Sequence, residues 1–166
     1  MAFFSTLQTL NPYHVLLYSI AYGTTTYQSF FVGLVAFRTL PLEQFSKLQS
    51  RIFPRYFPFQ LLSAVALLAS VPGDLVPLVW GTLGLCAATS LVNTAYLGPA
   101  SAKLSVQRLE QAASEGKSHK DPTASDKLKK MNKRFGMMHG ISVLINLAYW
   151  GALTVYGVHM VDVLTN

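Results

Sequence analysis

Charge is what this sequence lacks. Only 12% of its 166 residues are charged, about half the share of an ordinary soluble domain. None occurs in residues 1–37 or 135–161, and Asp74 stands alone between Tyr56 and Ala102. Such gaps remove a disordered chain, a nucleic-acid-binding domain and a water-soluble enzyme as leading readings. Cysteine is nearly absent as well: Cys86 alone, inside an apolar run, gives no disulfide framework and reads as a buried structural thiol. No HExxH, CxxC or paired carboxylates occur, so hydrolytic metal chemistry has no support, and no metal or cofactor is expected. Gly81 to Gly84 is a GxxG inside an apolar run, not a phosphate loop.

What is there is apolar surface: 51% hydrophobic residues and a mean hydropathy of +0.35. The expected fold is all-α, a bundle of four transmembrane helices at about residues 12–37, 56–71, 76–97 and 135–161. Between the first two, residues 41–54 are bracketed by Pro41 and Pro54. Leu42, Phe45, Leu48 and Ile52 recur at helical spacing, with Glu43, Lys47 and Arg51 on another face, which predicts an amphipathic helix in the membrane interface. Pro72, Gly73 and Asp74 predict a turn, and Gly98 with Pro99 is expected to end the third span. Residues 99–134 form a water-facing, partly helical loop. Its first half offers Ala102, Val106, Leu109 and Ala113 as an apolar face. Residues 116–124 have a linker's composition, and Ser125 is placed to cap the helix entering the fourth span. The chain reads as one transmembrane domain without internal repeats.

Orientation follows from basic residues. Loop 38–55 holds four Lys/Arg against one acid, and loop 99–134 holds nine against four. The positive-inside rule places both in the cytoplasm and both termini opposite. The endoplasmic reticulum, plasma membrane and mitochondrial membranes are all compatible. Lys127, Lys129, Lys130, Lys133 and Arg134 put five positive charges in eight residues beside the fourth span, an orientation signal or an anionic-lipid contact.

Within the spans no charged side chain needs to lie at mid-membrane, which disfavours an ion-coupled transporter. Neutral polar stripes are present instead. Ser19, Tyr22, Thr26, Ser29 and Gly33 recur on the first span, with Thr24 and Gln28 adjacent. Thr82, Cys86, Thr89, Asn93 and Tyr96 mark the third, and His139, Ser142, Asn146 and Tyr149 the fourth. They read either as helix glue or as a site for a lipid head group or small molecule. Gly136 and Gly140 form a GxxxG pair that reads as close packing. His14, His139 and His159 are the intramembrane candidates for haem iron, but His139 lies a bilayer away from the other two.

Specific residues carry a family resemblance: Gly23 to Tyr27, Phe30, Phe37–Arg38–Thr39–Leu40–Pro41, Phe45, Gln49–Ser50, Phe53–Pro54 and Tyr56–Phe57, then NTAYLGP at 93–99 and RFGMMHGISVLINL at 134–147. This pattern resembles the transmembrane protein 205 family of small four-span membrane proteins and covers roughly residues 22–147. The resemblance implies a four-span bundle and little about activity. In that bundle Gln28, Asn93, His139 and Asn146 are expected to converge in the interior, with Arg38 snorkelling at the end of the first span. These five are the candidate ligand- or lipid-binding residues.

The leading expectation is a non-enzymatic scaffold or accessory subunit, packing against lipid, other membrane proteins or a second copy. The competing expectations are lipid or small-molecule handling through a polar interior, and a haem-binding redox protein.

Overall fold

A computed structural model describes residues 2–72, 76–118 and 121–165. These residues form helices and turns, with no strand among them. Seven α-helices run in chain order among the described residues: α1 (Ala2–Leu7), α2 (Asn11–Tyr27), α3 (Gly33–Thr39), α4 (Leu42–Ala69), α5 (Pro77–Val92), α6 (Gly98–Ser114) and α7 (Asp126–Thr165). Two wider π-helical turns join them without a break: Gln28–Val32 between α2 and α3, and Asn93–Leu97 between α5 and α6. The expected turn at 72–74 lies partly outside the described residues, as do His119 and Lys120 of the linker.

Among the described residues, three helices are long and apolar enough to cross a membrane, namely Leu42–Ala69, the continuous Pro77–Ser114, and Asp126–Thr165. Three rather than the expected four meet that description. The run from α2 through α3 is long enough, but Thr24, Thr25, Thr26, Gln28 and Ser29 dilute its apolar residues.

Two expected breaks are absent. The interfacial helix at 41–54 and the second span are one helix, because α4 passes through both Pro54 and Pro58. Each proline removes one backbone donor, yet helices in lipid tolerate this where neighbours re-satisfy the backbone. Likewise Gly98 and Pro99 do not end the third span. The Gly98 N–H bonds five residues back to the Asn93 carbonyl, and this wide turn makes room for the proline ring. Gly98 is required there, since an added Cβ would lie 2.7 Å from the Asn93 oxygen and 3.3 Å from the Phe57 ring.

The core brings together Ala21 of α2, Ala64 and Leu67 of α4, Val79, Leu83 and Cys86 of α5, and Tyr149, Leu153 and Tyr156 of α7. Polar side chains share it: His14, Thr25, Gln60, Asn93 and Ser142 are buried. Phe31, Leu34, Phe37, Leu62, Trp80, Leu91, Leu144 and Val158 face outward. A water-soluble core has the reverse arrangement, and lipid is the solvent that suits this one.

At the end holding α6, a clasp closes the chain. Gly116 (φ +62°) follows α6, the Lys117 N–H reaches the Ala112 carbonyl, and the Gly116 N–H reaches that of Ala113; this pair of bonds ends a helix with glycine in the left-handed region. Ser125 caps α7 as expected, its Oγ accepting from the Leu128 N–H at 3.1 Å while its hydroxyl donates to Glu115. Ala112, Ala124 and Leu128 pack beneath. The buried face of α6 is Leu104, Arg108 and Ala112, not the expected Ala102, Val106, Leu109 and Ala113 face; Val106 and Ala113 are exposed. The wide turn and the continuation through Pro99 set the rotation of α6, which a separate loop helix would not share.

Candidate functional site

Two positions on α7, one helical turn apart, collect the polar groups of the bundle. Ser142 donates its hydroxyl to Asn93 Oδ1 at 2.8 Å, and Asn93 Nδ2 reaches the Ser142 carbonyl at 3.5 Å. At Asn146, Oδ1 accepts from Tyr56 Oη at 3.1 Å and from Gln60 Nε2 at 2.9 Å, while Nδ2 donates to Ser29 Oγ at 2.7 Å. Gln60 Nε2 also reaches Tyr56 Oη at 3.0 Å, and Tyr149 Oη donates to the Gln60 carbonyl at 3.1 Å. One network thereby ties the π turn after α2 to α4 and α7, and a second pair ties the π turn after α5 to α7.

Both π turns present a residue to it, Ser29 from the first and Asn93 from the second. A π turn inserts an extra residue and rotates the next stretch of helix to a new face. The heptad stripe on the third span consequently does not hold together: Thr82, Cys86 and Asn93 are buried, whereas Tyr96 is 65% exposed. Beside the network, Trp150 Nε1 donates to Thr26 Oγ1 at 3.0 Å, and the Cys86 thiol points to the Tyr149 carbonyl.

Of the five residues expected to form a site, Asn93 and Asn146 enter the interior, each in its own set of bonds. Gln28 is half-buried outside these bonds, its neighbour Ser29 taking the place. Arg38 is exposed at the end of α3. His139 is exposed as well, stacked on Phe135 at 5.9 Å between ring centroids. The expected convergence of Gln28, Asn93, His139 and Asn146 is therefore not found. Lys127, Lys129, Lys130, Lys133 and Arg134 are all exposed on the first turns of α7. Gly136 and Gly140 face outward with no neighbouring atom near an added Cβ, so they make no close packing within the chain.

Two groups, Gln60 and Arg108, lie beyond what the sequence pattern singles out, and His14, a candidate there for haem iron, has a different role. Gln60 is a lone amide in an apolar stretch of α4, and that isolation is its available signal. His14 is fully buried, with Nε2 2.6 Å from Tyr156 Oη and Nδ1 2.8 Å from Ser70 Oγ. Ser70 donates its one hydroxyl proton to the Ala66 carbonyl, so it accepts from Nδ1–H, and Nε2 accepts from Tyr156. Both ring nitrogens of His14 are occupied in this way, which leaves neither for a metal. Arg108 is 8% exposed, with its guanidinium carbon 4.0 Å above the Phe135 ring. It lies within electrostatic reach of His139.

Outside the spans, the clasp controls two carboxyl groups. The Ser125 hydroxyl and N–H hold Glu115 down from the ordinary 4.5 to about 2. The hydroxyl and N–H of Thr123 lower Asp121.

Comparison with known proteins assigns no chemistry. A relative from Aspergillus fumigatus, named xanthocillin biosynthesis cluster protein D, is 28% identical over 171 residues, which cover 99% of this chain and 97% of that protein. No solved structure matches. Residues 16–110 match the model of a family described as a domain of unknown function, DUF4149; the match spans both π turns and stops before α7. The chain belongs to the DUF4149 family.

Proposed function

We propose that this chain is a four-span, non-enzymatic integral membrane protein, a scaffold or accessory subunit similar to the transmembrane protein 205 family. The run from α2 through α3 is the first span in this reading, added to the three long apolar helices. Its support is the bonding of Ser29 and Thr26 to α7, together with the outward-facing Leu16, Ile20, Phe31, Leu34 and Phe37. The observation that carries the functional reading is the mutual bonding of the interior polar groups. Asn93, Asn146, Tyr56 and Gln60 are engaged with other helices, as helix-locking groups should be. The basic start of α7 then faces an anionic cytoplasmic leaflet, with both termini opposite. The Aspergillus relative is named for a biosynthesis cluster, and an accessory membrane role beside other proteins is consistent with that name.

The test is gentle extraction from the native membrane after crosslinking, followed by native mass measurement. The proposal expects a stoichiometric membrane-protein partner or second copy. A stoichiometric small molecule in the interior, lost on Asn146→Ala while folding persists, would overturn it in favour of ligand handling.

A further inference from the structure

We infer that Arg108 is an anion site for a phosphoryl group, built at the seam of α6 and α7. Arg108 is more than nine-tenths buried, and its Nε is enclosed without a hydrogen-bond partner. No carboxylate among the described residues is bonded to the guanidinium; its neighbour on α7 is the face of Phe135 at 4.0 Å. A guanidinium carries five N–H donors and stays charged. Burying it without a carboxylate is unfavourable, and a cation–π contact offsets only part of that. An anion with two adjacent oxygens completes the site, because the guanidinium fork matches phosphate geometry.

The surroundings favour phosphate over a protein carboxylate. The nearby acid Glu115 is committed to Ser125 and Gln111. Lys127, Lys129, Lys130, Lys133 and Arg134 lead along α7 to Phe135 and add positive potential at this end. Depth favours it too. At helical rise, Arg108 lies about 46 Å from Pro77, and Phe135 about 40 Å from Asp162. Both distances exceed the roughly 30 Å hydrocarbon core, so the seam lies outside it, on the head-group and water side. The phosphoryl oxygen belongs to a lipid head group or to free phosphate, and the two sources are separable.

The full chain in phosphatidylcholine nanodiscs is titrated with inorganic phosphate, and compared with the chain in discs carrying 10% phosphatidic acid. Thermal unfolding and retained lipid are read. The wild-type chain is expected to gain several degrees and retain phosphatidic acid, and Arg108→Gln to lose both with at least tenfold weaker retention. Lys129→Gln with Lys130→Gln is expected to retain most of the effect. Arg108→Met, which keeps the apolar stem and removes the buried charge, is the second variant should Arg108→Gln not fold. A gain with inorganic phosphate alone, also lost at Arg108, supports the site and assigns it to free phosphate. A wild-type chain indifferent to both sources, or an Arg108→Met chain responding like wild type, overturns the inference.

Discussion

At one end of the bundle His14 is buried with both ring nitrogens bonded, to Ser70 and Tyr156. At the other end Arg108 is buried with an unpartnered Nε and only an aromatic face beneath it. The same burial has two outcomes. The His14 site is closed within the chain, since His14 bonds to Ser70 and Tyr156 across three helical segments, and its chemistry is structural. The basic end holds a buried charge that no carboxylate among the described residues neutralises, and Lys127, Lys129, Lys130 and Lys133 are exposed on the same end of α7. Bonds closed internally stabilise a fold, and a buried charge left without a counter-charge marks where something outside the chain is met.

Mutations can break this contrast, beginning at the closed end. A Cβ on Gly157 would lie 1.9 Å from Tyr18 Oη and 2.5 Å from the ring carbon bearing it. Gly157→Ala is expected to cost about 3 kcal/mol or more by overpacking, seen as lost folded yield. Tyr18→Phe in the same chain should restore only part of it, because the ring carbon still clashes. Next in size, His14→Leu strands the buried Tyr156 hydroxyl, while Ser70 keeps its bond to the Ala66 carbonyl, and is expected to cost about 2 kcal/mol in thermal unfolding. A neutral result would show that the His14 end is not closed by these bonds. A smaller contrast sets Asn146→Ala, about 1–2 kcal/mol for an amide serving three partners, against Gln28→Ala at under about 0.5 kcal/mol. Equal effects would erase the distinction between bonded and unbonded polar residues.

The smallest effect is expected at the clasp, in acid. Glu115 is ordinarily half-protonated near 4.5 and is held at about 2 in the fold. A depressed carboxyl contributes stability above its unfolded value and loses it as pH falls toward the folded one. Residues 115–125 should therefore loosen between about pH 4.5 and 2, read as faster amide exchange there than in α5. Ser125→Ala, which keeps the backbone N–H and Gln111 bonds to Glu115, is expected to weaken that pH dependence without abolishing it.

Much of the architecture is legible in the sequence because charge-free stretches in lipid have few alternatives to helix. The helices over 76–97 and 135–161 are readable for that reason, and the Ser125 cap is readable from its residue type before a helical run. The departures share one cause. Pro54, Gly98 and Pro99 break helices in water, where a missing donor or a free glycine ends the hydrogen-bonded run. In α4 and in the α5–α6 run, neighbours and a π turn absorb those residues. The site is half legible. Asn93 and Asn146 stand out as amides in apolar runs, and Gln60 has the same signal. Gln28 gives way to Ser29 because a π turn shifts register, which no periodicity of 3.5 or 3.6 anticipates. Arg108 is hidden among loop charges, since its burial depends on how α6 rotates against α7.

If interior polar pairs lock the run from α2 through α3 to α7, Ser29 and Asn146 must be energetically coupled. A double-mutant cycle on Ser29→Ala and Asn146→Ala, with unfolding free energies taken in a lipid bilayer, measures that coupling. It is expected to be about 0.5–2 kcal/mol between the two positions. Strict additivity, with each substitution costing the same whether or not the other is present, would contradict it.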